Sequence, residues 1–332
     1  MIRLSCEQDS RIAAPGDVLI QPPYACYLCG LEVGEQRVKL GDFRVIECQN
    51  CGLGVTSPLP TAEEVIEHNK SVYAIDRRIK AYKSRSRELN RRYIAQLKAI
   101  QQIQRKPGTR LLDIGCSAGF FLAAARERGY DAYGVEIAEN TAQYAREQLG
   151  LNVFCGPLES AGHADGYFDV VTMWDVLEHT LDPKRILREV WRILGEDGLL
   201  VVQSPNMESM MAEMTGERWH WWCVPDHLYH FTPSSITRLL QESGFEIISM
   251  FTWEPSTDLL SNLLESTLRL NPKSRHMGSR VLRKIVHLAC RVGHPLIIPA
   301  QKAAWKHQRG ALVLLLARKS AAYPPSTYEE LR

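Results

Sequence analysis

Short apolar runs alternate with longer amphipathic stretches over most of this chain, the rhythm of an α/β sheet with helical crossovers. Runs at 111–114, 131–136, 152–155, 168–174, 199–203 and 245–251 predict six strands, and 311–317 predicts a seventh. Helices are expected over Pro183–Leu194 and Pro233–Glu242. Each opens on a residue able to cap it followed by proline at the first helical position, Asp182-Pro183 and Thr232-Pro233. Gly195-Glu196-Asp197-Gly198 predicts a turn into the fifth strand. The segment 61–105 reads as a charged helical connector whose arginine pairs form a solvated face.

The first of these strands carries the chemistry. Leu111-Leu112-Asp113-Ile114-Gly115-Cys116-Ser117-Ala118-Gly119 runs from an apolar strand through a glycine-spaced turn into an alanine-rich helix. Its Asp-x-Gly-x-x-x-Gly spacing differs from the Gly-x-Gly-x-x-Gly dinucleotide fingerprint, and its two glycines are expected to leave room for a ligand without a pyrophosphate. Seventeen residues past Gly119, Glu136 ends the next strand as an acid placed to accept hydrogen bonds from a ribose diol. Helix capping is its alternative role.

On these residues the chain resembles the class I S-adenosylmethionine (SAM) methyltransferases. Asp175-Val176-Leu177-Glu178-His179, followed by Asp182-Pro183, is similar to a submotif of the ubiquinone-type O-methyltransferases. The resemblance covers about two thirds of the chain. It implies an α/β, Rossmann-like, seven-stranded doubly wound sheet with an antiparallel last strand. It also implies cofactor contacts at Asp113, Gly115, Cys116, Gly119, Glu136, Ile137, Leu158, Glu159, Trp174 and Asp175. The chain departs from the minimal pattern where 254–310 splits the final hairpin.

Three histidines are candidate bases for an acceptor that must lose a proton: His179, His227 and His230. His179 follows the fourth strand, and orienting its loop is an equal alternative. His227 and His230 close an aromatic block, Trp219 to Phe231, expected either as a substrate wall or as a plug of buried tryptophans.

Ahead of this domain, Cys26-x-x-Cys29 and Cys48-x-x-Cys51 stand eighteen residues apart, each pair followed by glycine. Four thiolates so spaced suit tetrahedral Zn2+ in a closed structural site, a small zinc ribbon. A redox dithiol needs one pair and a βαβ context, and nine cysteines without a signal peptide argue against disulfides. A zinc ribbon before this domain also resembles certain sugar C-methyltransferases, which carry a further C-terminal domain for which these 332 residues are expected to have no room. Val18 to Tyr24 echoes an Asn-Pro-Pro-Tyr motif without its asparagine and reads as an extended linker.

The 332 residues divide into an extension (1–24), the ribbon (25–60), the connector (61–105), the SAM domain (106–253 and 311–320), a helical insertion (254–310) and a tail (321–332). The net charge of +2 is unevenly spread, with ten basic against three acidic residues in the insertion. Its stretch 278–292 forms a basic amphipathic pattern, suited to peripheral contact with an anionic membrane or to packing on the domain. No apolar run approaches the ~20 residues of a bilayer span, so the expected location is cytoplasmic. No nucleic-acid-binding module accompanies the basic charge. The expected activity is methyl transfer to a small-molecule or lipid-linked acceptor, foremost a hydroxyl. The alternatives are C-methylation of a sugar-type substrate and a non-catalytic SAM-binding role. The glycine spacing disfavours a nicotinamide oxidoreductase.

Overall fold

A computed structural model describes residues 25–32, 34–61, 64–65, 75–104, 109–253 and 302–320. The linker at 18–24, the amphipathic stretch 278–292 and most of the insertion lie outside the described residues. The described residues open with a ribbon of three short antiparallel strands, β1 (Glu35–Leu40), β2 (Phe43–Glu47) and β3 (Gly54–Ser57). A long helix, α1 (Ile75–Ile103), leads into the main sheet.

The main sheet and its helices follow in the order β4 (Arg110–Ile114), α2 (Phe120–Arg126), β5 (Asp131–Glu136), α3 (Glu139–Leu149), β6 (Asn152–Cys155), β7 (Phe168–Trp174), α4 (Pro183–Ile193) and β8 (Leu194–Pro205). After a short helix α5 (Met210–Thr215) come β9 (Tyr229–His230), α6 (Pro233–Glu242), β10 (Phe245–Trp253) and β11 (Leu312–Lys319). Seven strands hydrogen-bond in the order β10-β11-β8-β7-β4-β5-β6. All neighbouring pairs are parallel except β10–β11 and β11–β8, which are antiparallel. This is the expected Rossmann-like sheet with its antiparallel last strand.

Strand periodicity divides the core into two layers. Leu111, Val170, Leu199, Val201, Leu314 and Leu316 pack with residues of α1, α2 and α3 on one face. Leu112, Val171, Met173, Leu200, Val202 and Leu315 pack with α4, α6 and ribbon residues, including Cys26, Cys48 and Cys51, on the other. The order of connection reverses on either side of β4, so the ligand crevice opens beyond the C-terminal ends of β4, β5 and β7.

Both proline-led helix starts form as expected. Asp182 accepts a hydrogen bond from the Arg185 amide at 3.0 Å. Thr232 and Ser235 form a reciprocal capping box. Two details differ from the sequence reading. Residues 195–198 do not leave the sheet; they form an irregularity within β8, where the register with β7 shifts between Phe168 and Val170. The two-residue strand β9, which no periodicity could announce, pairs with β3 and extends the ribbon to four strands. Thr232→Ala removes a buried cap and is expected to lower unfolding stability by about 1–2 kcal/mol in urea titration.

Candidate functional site

The turn after β4 owes its shape to two glycines. Gly115 and Gly119 hold φ of 68° and 78°, the left-handed region that side chains avoid. A Cβ on Gly119 would lie 2.5 Å from Leu151, and one on Gly115 2.8 Å from Val176. Their requirement is therefore backbone sign and protein packing, where the sequence reading assigns them room for a ligand. Glu136, buried at the end of β5, binds the turn from the other side. One carboxylate oxygen accepts from the Ser117 amide at 2.7 Å, the other from the Ala138 amide at 2.9 Å. Each carboxylate oxygen retains a further lone pair for hydroxyl donors. Glu136 thus joins the β4 turn to the start of α3.

Asp113 lies wholly inside, accepting from the Thr172 hydroxyl at 2.7 Å. Burial, with the Glu136 charge adding to it, pushes its carboxyl up to about 8. Cys116 is buried beneath β5, while Ile137 is exposed beside Glu136. Leu158 is buried, and Glu159 pairs with Arg185 at 2.8 Å. These four thus differ in access: Ile137 is exposed and Glu159 partly so, whereas the side chains of Cys116 and Leu158 are buried.

At the end of β7, Trp174 packs edge-on against Phe121. Asp175 takes a left-handed turn, φ 57°, and accepts from Gln203 Nε2 at 2.8 Å. Burial raises the Asp175 carboxyl, and Arg92 on α1 opposes the rise. Trp174 Nε1, Gln203 Oε1 and Glu178 Oε1 are buried and find no hydrogen-bond partner among the described residues. Orphaned buried polar atoms at or just beyond the C-terminal ends of β7 and β8 fit a polar ligand, since unpaired buried groups are costly.

Beyond them sits a histidine cluster. His179 Nδ1 donates to the Asp226 carbonyl at 2.9 Å, and His227 Nδ1 donates to the Trp221 carbonyl at 2.9 Å. A carbonyl can only accept, so both rings keep Nε2 as their basic nitrogen. The rings meet edge to face, 4.6 Å between centroids. One nitrogen of each and a Glu178 oxygen lie within 4.8 Å of one another, a donor set that could also hold a divalent cation. Glu178 is buried, takes the Ser204 hydroxyl at 3.0 Å, and is held well above the usual carboxylate range by burial and then by Asp175. Burial pushes the His227 imidazole far down, so it stays neutral. His179 is only half-buried and is the most accessible of the three histidines.

His230 stands apart from that pair: its Nε2 lies 3.0 Å from the Thr56 hydroxyl on the ribbon. The aromatic block divides likewise. Trp219 and Trp222 are core, packed with Val38, Val45 and Met207, while half-buried Trp221 stacks over His227. The residues that sequence reasoning passed over are Glu178, Gln203, Ser204 and Thr56. The one available signal was Glu178, an acid lying directly between apolar Leu177 and a candidate base.

On the far side of this loop, the four cysteine sulfurs lie within 4.8 Å of one another, with Cys26–Cys51 and Cys29–Cys48 at 3.5 Å. Metal–sulfur bonds of about 2.3 Å in a tetrahedron place sulfurs about 3.8 Å apart. The two knuckles match: Gly30 donates to Cys26 and Gly52 to Cys48, each at 2.8 Å, and both glycines are left-handed. Burial raises the Cys26 and Cys51 thiols, a penalty that a bound cation would remove by holding the thiolates.

The sequence model of a methyltransferase-domain family matches residues 82–250, just over half of the chain. The chain belongs to the class I SAM-dependent methyltransferases. Among curated relatives, this methyltransferase is 30% identical over 183 residues to the ubiquinone biosynthesis O-methyltransferase of Ruegeria pomeroyi, spanning 49% of this chain and 74% of that one. The protein of the same name from Coxiella burnetii is 24% identical over 165 residues, with 46% and 70% covered. A solved SAM-dependent methyltransferase from Archaeoglobus fulgidus aligns at 21% identity and a TM-score of 0.45, over 68% of this chain and 92% of that chain. Among the described residues no helix is long and apolar enough to cross a membrane.

Because Gly119 is fixed by φ and by Leu151, Gly119→Ala is expected to destabilise the methyltransferase fold itself. A loss of about 1–3 kcal/mol in chemical unfolding without any ligand is the expected outcome.

Proposed function

We propose that this enzyme transfers the SAM methyl group to a hydroxyl of a small or lipid-linked acceptor, with His179 as the base. The observation that carries the reading is the His179–His227 pair beyond β7, each ring held by a backbone carbonyl with Nε2 kept basic. A hydroxyl becomes a competent nucleophile as its proton leaves, and His179 Nε2 is placed to receive it. The hydroxyl oxygen would form the new bond to the methyl carbon as the carbon–sulfur bond breaks, its electron pair returning to sulfur to leave a neutral thioether. The hydroxyl proton would pass to the imidazole and then to water. Bound SAM supplies an electrophilic methyl on its sulfonium. Glu136 holds the ribose hydroxyls, Gly115 and Gly119 shape the turn, and Ile137, Leu158 and Glu159 border the adenine. Trp174, Asp175 and Cys116 complete the cofactor wall. Orientation of the acceptor supplies most of the acceleration. The O-methyltransferase names of the relatives support a hydroxyl over a carbon acceptor.

Two variants divide these roles. Glu136→Ala is expected to weaken SAM binding by about 1–3 kcal/mol in calorimetry, with the ribose hydroxyls left unpaired. His179→Ala is expected to keep SAM affinity and lose 10²- to 10⁴-fold in turnover, on the order of general-base catalysis, followed by transfer of labelled methyl into a metabolite extract with the product's O-methyl identified by mass spectrometry. Activity of His179→Ala equal to wild type would remove the base. Loss of wild-type activity on exhaustive chelation that spares the ribbon's metal would reassign the cluster to a cation.

We infer further that Cys26, Cys29, Cys48 and Cys51 hold one structural zinc. With four protein ligands and no open position, its contribution is to folding. Elemental analysis of purified protein should give about one zinc per chain, falling towards zero in Cys48→Ser.

A further inference from the structure

Thr56 is a polar residue within β3, the ribbon strand that pairs with β9, yet its side chain is wholly buried. It sits where the ribbon meets the catalytic loop. The Leu228 amide donates to the Glu178 carbonyl at 2.7 Å, and the Leu228 carbonyl accepts from the Thr56 amide at 2.9 Å. One peptide stretch is thus held from both sides, by the loop after β7 and by β3. The Thr56 hydroxyl makes two further bonds. It donates to the His227 carbonyl at 2.5 Å, which uses its single proton. Its contact with His230 Nε2 at 3.0 Å must then run the other way, with the ring donating. His230 is therefore protonated on Nε2, the opposite tautomer to His179 and His227.

We propose that Thr56 is a positioning residue of the methyltransferase: its hydroxyl fixes the backbone of His227 and the tautomer of His230, making the cysteine ribbon part of the acceptor site. This rests on the reading that His179 and His227 face the acceptor. The ring chain His179–His227–His230, with centroids 4.6 and 6.1 Å apart, has one end at the half-buried base and the other at Thr56. His230 is buried and far below its ordinary protonation range, so it acts as a fixed donor. Within this chain a hydroxyl at position 56 satisfies one donor and one acceptor that no aliphatic side chain could satisfy.

The test uses the full-length, metal-loaded chain with ¹⁵N-labelled histidine and bound S-adenosylhomocysteine. Long-range ¹⁵N–¹H correlation reports which ring nitrogen carries each proton, with assignments from single histidine-to-glutamine variants. Wild type should show His230 protonated on Nε2, and His179 and His227 on Nδ1. Thr56→Val should convert His230 to a mixture of tautomers and shift the His227 ring resonances, while SAM affinity and metal content stay unchanged. Thr56→Ser should restore the wild-type spectrum. If the valine variant does not fold, Thr56→Ala gives the same comparison. Unchanged histidine spectra in Thr56→Val, or a Thr56→Ser spectrum like that of valine, would overturn the proposal. The tautomer readout needs no acceptor, so it stands or falls separately from the turnover of His179→Ala.

Discussion

Parallel strands deliver their C-terminal ends to one edge of the sheet, and whatever sits there must satisfy the backbone groups that the sheet leaves behind. In this methyltransferase the Glu136 carboxylate does so for two segments at once. It takes the amide of Ser117 from the turn after β4 and the amide of Ala138 at the start of α3. That carboxylate tethers the turn holding Gly115 and Gly119 to the end of β5, alongside the hydrogen bonds of Gly115 and Cys116 to the Val135 carbonyl. Asp113, one strand over, shares the same buried corner and is kept proton-hungry by it. The cofactor end of the molecule is thus ordered by a pair of acids with unequal duties, one accepting backbone amides and the other locking β4 to β7 through Thr172.

The ribbon is bound to the catalytic layer by more than sequence proximity. Its cysteines belong to the same apolar cluster as α4 and α6. The Tyr27 hydroxyl, between the first two cysteines, accepts from the Lys184 amide at 2.8 Å and bonds the Asp182 cap of α4. Tyr229 on β9 packs on Tyr27 and reaches the Leu181 carbonyl at 3.1 Å. The loop carrying His227 is therefore held between two frameworks, a parallel sheet on one side and a cysteine-clasped ribbon on the other.

Much of this was legible in the chain because the signals are local. Asp113, the spaced glycines and Glu136 occupy strand ends that hydrophobic runs mark out, and two Cys-x-x-Cys knuckles carry their geometry within four residues each. Asp182-Pro183 and Thr232-Pro233 announce helices by chemistry confined to one turn. What escaped is tertiary. A two-residue strand such as β9 has no period to detect, and Thr56 gains its meaning from partners more than 170 positions away. The histidines were visible as a set, but burial and hydrogen-bond direction separate them: His179 half open, His227 neutral behind it, His230 committed to the ribbon. The tryptophans divide for the same reason, since composition cannot tell a core indole from one stacked beside His227.

The placement of β11 has a consequence for how the chain assembles. It lies in the middle of one wing of the sheet, between β8 and β10, although it follows β8 by more than a hundred residues and β10 by nearly sixty. As the polypeptide leaves the ribosome, β4 to β8 can pair among themselves before β11 exists. Until it arrives, the edge of β8 presents an open row of amides and carbonyls flanked by Leu200 and Val202, the kind of edge that recruits stray strands. The last of the described strands in chain order is thus an inner one, and its apolar run, Leu312 to Leu316, is the seal that closes the sheet. Chain closure over so long an intervening segment is entropically slow but not much costlier than over a short one. The topology therefore places the delay of maturation after β4 to β10 have been made, on a strand at the opposite wing of the sheet from β5 and β6.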